Sequence, residues 1–251
     1  MGELTITRKV GAALAVASLI SGVTACNSGT SGGPEPTTTT STTSTEAEPL
    51  TGFLEPTSGT EGKVTYQADL PQVRGGEPAV RDKFNADMKA ALDKYLQPTE
   101  DNRSVTVAPG ALVDEVKSEV THVGTGSVSG VLILNISVEQ AAHPFNEVAT
   151  TVIDARTADP INIATLFTDE TVGLTALVDA IKTEMAADER LANQPPPDAT
   201  PEALSRWVAD DDGLEIYIPV AHVLGDYYEI GVEWDALAHV LAPGIRETLS
   251  T

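Results

Sequence analysis

The sequence predicts an α+β fold, an antiparallel sheet of meander and hairpins with two main amphipathic helices packed against it. Three observations carry this expectation. Two segments place apolar residues at helical spacing, a middle stretch alternates or runs apolar over strand lengths, and an Asp-Gly turn joins two short strands near the end.

The folded region is expected over 59–251, long enough for one domain with its own core. Val64 to Leu70 alternates as a strand, with Val64, Tyr66, Ala68 and Leu70 on one face, and Pro71 and Gly75-Gly76 end it. Ala79 to Gln97 is the clearest helix. Val80, Phe84, Met88, Leu92 and Tyr95 form its apolar stripe, and Pro98 stops it. Val116 to His122 alternates, Val128 to Glu139 has the apolar centre Val131-Leu132-Ile133-Leu134, and Glu147 to Ala155 follows Pro144. These three read as an antiparallel meander.

Ile161 to Phe167 suggests a short helical turn, followed by a helix burying Leu174, Leu177, Val178, Ile181 and Met185. After the loop marked by Pro195-Pro196-Pro197 and Pro201, Ser205 to Ala209 and Leu214 to Ile218 are strands joined by Asp210-Asp211-Asp212-Gly213. Tyr228 to Trp234 is a last strand, and Ala236 to Leu241 starts a helix that Pro243-Gly244 interrupts.

Ahead of this region, residues 1–25 read as a signal peptide, with Arg8 and Lys9 before the apolar run Val10 to Ile20. Residues 26–58 read as a disordered Thr/Ser/Pro-rich stalk, because too few apolar side chains are present to offset ordering entropy. Val23-Thr24-Ala25-Cys26 resembles the lipobox of bacterial lipoproteins. The resemblance implies cleavage before Cys26, a diacylglycerol on its sulfur and an acylated, palmitate-type N-terminus anchored at the extracytoplasmic face of the cell membrane. Two or more chains are what stable anchoring requires, since one binds only marginally. Cys26 is the single cysteine, so its lipidation leaves no disulfide.

The formal net charge is −22, and loss of Glu3, Arg8 and Lys9 with the signal leaves −23. No Lys/Arg cluster is present, which argues against nucleic acid and against anionic lipid headgroups as partners and favours a basic protein or an envelope component.

Ala141-Ala142-His143-Pro144, a strand ending in Asp154, and Ile161 to Phe167 with Thr168-Asp169 resemble the signature of the RsiV-like extracytoplasmic domain. Asp212-Gly213-Leu214 with Tyr217, and Ile230 to Leu237, are similar to its later elements, so the resemblance covers 116–241. That family includes a lysozyme-sensing anti-sigma factor and secreted mycobacterial antigens, some associated with esterase activity. The resemblance implies a sheet-and-helix fold and a binding or interaction role, with a weak esterase-type hydrolase as the alternative. The anti-sigma factor's transmembrane helix and cytoplasmic segment have no counterpart in this sequence.

No catalytic residue is assigned. The histidines are His122, His143, His222 and His239, and nothing in spacing pairs them with Ser127, Ser129 or Ser137. Gly29 to Gly33 matches G-x-S-x-G literally but has no strand before it or helix after it. Gly124, Gly126 and Gly130 lead into a strand rather than a helix, which a nucleotide loop would not do. No metal spacing and no cofactor motif are found, and Asp210 to Gly213 reads as a solvated turn. Trp207, Tyr217, Tyr227, Tyr228 and Trp234 could form an anchor rimmed by Asp226, Glu229 and Glu233, or could fill the core, the reading alternation favours for Tyr217 and Trp234.

Overall fold

The computed structural model describes residues 48–100 and 102–251; the expected signal peptide, Cys26 and most of the expected stalk lie outside the described residues. Nine strands form two sheets among the described residues. The first holds β1 (Thr51–Glu61), β2 (Val64–Arg74), β3 (Val105–Pro109), β4 (Glu119–Val123), β5 (Ser127–Val138) and β6 (Phe145–Asp154). The second holds β7 (Trp207–Ala209), β8 (Gly213–Pro219) and β9 (Tyr227–Glu233). The helices are α1 (Pro78–Asp93), α2 (Glu170–Ala187), α3 (Trp234–Leu237) and α4 (Ile245–Ser250), and a 3-10 turn spans Ile163–Leu166.

The expected meander is β4-β5-β6, antiparallel throughout. β5 organises the sheet because it is long enough to serve several partners. β6 pairs with it over Ser127 to Ile136, while β4 takes Val128 to Val131 and β3 takes Leu134 to Val138. Its side chains alternate between two cores. Val128, Leu132, Leu134 and Ile136 meet Val80, Phe84, Met88 and Leu92 of α1, the stripe expected from sequence. Val131 and Ile133 point the other way, against Val208, Tyr217 and Tyr227 of the second sheet. The far face of that sheet, including Ile216, Ile218 and Ile230, packs on Leu174, Leu177, Val178, Ile181 and Met185 of α2. The layers are therefore helix, sheet, sheet, helix. This is the expected α+β class, with a second, smaller sheet added to the first.

A correction concerns the stalk. Residues 51–58, expected in it, belong to β1, which pairs with β2 from Thr51↔Arg74 to Glu61↔Val64. Most of β1 is exposed on both faces, so it is held by its ladder and carries no apolar alternation. Pro56, Glu55 and Glu61 blunt its outer edge against further pairing. β2 also runs past its expected end, through Pro71 to Arg74. β3 covers only Val64 to Tyr66 of it, so Pro71 has a ladder neighbour on one side only. β3 itself, parallel to β2, was not expected.

Candidate functional site: an acid-lined cleft

The five late aromatics do not form a surface anchor. Trp207, Tyr217, Tyr227, Tyr228 and Trp234 are each at least nine-tenths buried, packed between the sheets or against α2. The three tyrosine hydroxyls are tied inside the fold, while the buried Trp234 Nε1 has no hydrogen-bond partner. The Tyr217 hydroxyl donates to Glu229 (2.9 Å), and the Tyr227 hydroxyl donates to Glu147 (3.3 Å), which also accepts from Tyr95 (3.0 Å). The Tyr228 hydroxyl donates to Asp188, which the Arg190 guanidinium also holds. The supposed rim is partly engaged as well, since Asp226 accepts from the Asn146 backbone N–H (2.7 Å) and bonds His222.

What the second sheet does present is charge. The β7–β8 turn is built by Asp210, whose Oδ1 accepts from the N–H groups of Asp212 (2.8 Å) and Gly213 (2.9 Å). Gly213 is required there, because a Cβ would sit 2.2 Å from the Val232 carbonyl oxygen. This turn, the adjoining parts of β8 and β9, and the outer side of α2 enclose a cleft of about 380 Å3. Glu184, Asp210, Asp212, Glu215 and Glu233 are among its lining residues, and no Lys or Arg is. Glu184, Asp212 and Glu233 are exposed. Carboxylates converging on a concave surface reinforce one another's potential and draw cations toward it.

At the margin of this cleft Glu215 and Glu229 stand on neighbouring strands, near one another because Glu215 is opposite Gly231 and Tyr217 opposite Glu229. Burial first, then the hydrogen bond to Glu229 and the charges of Glu229 and Asp210, push the Glu215 carboxyl up to about 9. Glu215 therefore keeps its proton at neutral pH and donates it in a hydrogen bond to Glu229, which also accepts from Tyr217. Burial and the two glutamates drive the Tyr217 phenol far above its ordinary range, so it acts as a donor only.

The structure brings together part of a hydrolase constellation. His122 lies opposite Ser129 in the β4–β5 ladder, with its Nδ1 3.4 Å from Asp211. Yet the Ser129 hydroxyl donates to the Ala209 carbonyl (3.0 Å), and the fully buried Ser127 hydroxyl and His122 Nε2 have no hydrogen-bond partner. Among the described residues no serine hydroxyl is hydrogen-bonded to a histidine, so a Ser-His-acid relay is not assembled. Nor, among the described residues, is any group of three or more His, Cys, Asp or Glu side chains arranged to hold a metal ion.

His143 and His222 are brought together from distant loops, with ring centroids 3.7 Å apart and planes inclined by 15°. His239 is exposed near the end of the chain. Sequence reasoning missed both the histidine pair and the cleft. The pair spans 79 residues with no local motif, and the cleft is made by α2 closing on strands that follow it.

No family model matches the chain, and no curated protein does. One solved structure shares the fold and a second is similar at a lower score. A DUF3298 family member from Bacteroides fragilis superposes with a TM-score of 0.55 at 15% identity, over 82% of this chain and 98% of its own. A DUF3298 family protein from Pseudomonas aeruginosa gives 0.46 at 11% identity, over 79% and 97%. At this identity the likeness is one of fold. Among the described residues no helix is long and apolar enough to cross a membrane.

Proposed function

We propose that this chain is a lipid-anchored, extracytoplasmic binding protein of the cell envelope, whose acidic cleft engages a cationic protein partner. The cleft carries the reading. Glu184, Asp212 and Glu233 expose carboxylates around a concave surface whose lining holds no base. The lipobox-like Val23-Thr24-Ala25-Cys26 supports the anchor, and the shared fold with a DUF3298 member accords with the RsiV-like resemblance. β1 begins at Thr51, so about 24 residues separate Cys26 from the folded body.

The test is capture of a basic protein, with lysozyme as the probe, by the full-length chain in detergent micelles at several salt concentrations. Binding that weakens steeply with salt supports the reading. Absent or salt-insensitive binding contradicts it.

A further inference from the structure

We propose that His143 and His222 form a surface site for a borderline divalent transition-metal cation such as Zn2+ or Cu2+. The two rings come from separate loops, one between β5 and β6 and the other between β8 and β9. Both are exposed, and they stack at 3.7 Å.

Their hydrogen bonds fix which nitrogen is free. His143 Nδ1 lies 3.0 Å from the Pro144 carbonyl oxygen. A carbonyl only accepts, so Nδ1 carries the proton and Nε2 presents a lone pair. His222 Nδ1 lies 2.8 Å from Asp226 Oδ1, and a carboxylate sets the same tautomer. Each imidazole thus donates its Nδ1–H to an oxygen and leaves Nε2 bare, the arrangement that orients histidine as a metal ligand and raises its basicity. Stacking holds the two Nε2 atoms within a few ångströms of one another. Because an imidazole lone pair lies in its ring plane and the two planes are 15° apart, binding one ion requires the exposed His143 ring to turn out of the stack until its Nε2 faces that of His222.

Asp226 is itself held in place. Its second carboxylate oxygen accepts from the Asn146 N–H (2.7 Å), and the Asn146 side chain donates to the Gly225 carbonyl (3.0 Å). Asp226 adopts φ +72°, a left-handed conformation that costs free energy and is maintained by these bonds. The support for His222 is therefore built into the loop, whereas most exposed histidines have none.

Two imidazoles select Zn2+, Cu2+ or Ni2+ over Ca2+ or Mg2+, which take oxygen ligands. With two protein ligands the ion keeps open positions for water or for a side chain of a bound molecule.

Isothermal titration of Zn2+ into the untagged full-length chain tests the site, together with Cu2+ electron paramagnetic resonance. The expected result is one equivalent of Zn2+ bound, with affinity at least tenfold lower in His143→Phe and in His222→Phe. Either phenylalanine keeps a ring in the stack but has no lone pair. Asp226→Asn should lose about tenfold, as removal of a supporting partner does. The Cu2+ spectrum of the wild type should show splitting from two imidazole nitrogens, a readout that needs no variant to fold. Phenylalanine variants that bind like the wild type would assign the ion to surface carboxylates and overturn the proposal, as would a Cu2+ spectrum without two nitrogens.

Discussion

Glu215 on β8 directs its carboxyl to Glu229 on the adjacent strand β9, beside an acid-lined cleft. The pair has a direct consequence for stability. Glu215 titrates near 9 in the folded chain and near its ordinary value when unfolded, so between those values the folded state holds the extra proton. Its contribution is fully present below the unfolded value and is lost as pH rises through about 9. Glu215→Gln mimics the protonated acid, and its Tm should exceed that of the wild type at pH 8 by about 3 °C or more. The difference should vanish near pH 4. Thermal melts followed by circular dichroism across that range check it, and a variant less stable at pH 8 refutes it.

Asp188 gives the opposite sign. The Arg190 guanidinium and the Tyr228 hydroxyl hold its carboxyl well below the usual carboxylate range. Its contribution is present above the unfolded value and is lost as pH falls through the folded one. Asp188→Asn should cost about 1–2 kcal/mol at pH 7, discounted for partial exposure of the pair. In strong acid the variant and wild type should converge. Urea denaturation at the two pH values is the measurement.

Gly173 in α2 inverts the usual helix rule. Alanine in place of a helical glycine ordinarily adds about 1 kcal/mol of stability. Here a Cβ would lie 2.0 Å from Phe167 Cγ, in a contact with no room to yield. Overpacking of about 1–3 kcal/mol should win, so Gly173→Ala should lower the denaturation midpoint. In the background Phe167→Leu the same change should cost less, and a double-mutant cycle reads the difference.

Cys26→Ala should move the chain from the membrane fraction to the soluble fraction, with the folded domain's circular dichroism unchanged. A variant that stays with the membrane would show that something other than Cys26 holds it there.

The helices were legible because their buried stripes, Phe84-Met88-Leu92 and Leu174-Leu177-Ile181, repeat at the helical period. β5 was legible as an apolar run bounded by turn residues. β1 was not, since Thr, Ser, Gly and Pro exposed on both faces read the same in a tether as in an edge strand. The split into two sheets was hidden too. The direction in which Tyr217 and Val131 point is settled by packing, while alternation alone reports only that each is buried on one face. Of the site, the charge was visible but its concavity was not. The carboxylates of α2, the β7–β8 turn and β9 meet only through the tertiary fold, as do His143 and His222.

The most direct test compares two triple variants of equal charge in the lysozyme-binding assay. One removes the exposed cleft carboxylates, by Glu184→Gln, Asp212→Asn and Glu233→Gln. The other neutralises Glu55, Glu61 and Glu77, on the β1–β2 hairpin and just before α1, away from the cleft. The cleft variant should lose at least tenfold in affinity and much of its salt dependence, while the control stays within about threefold of the wild type. Equal losses in both would show that overall acidity draws the partner and that the cleft does not.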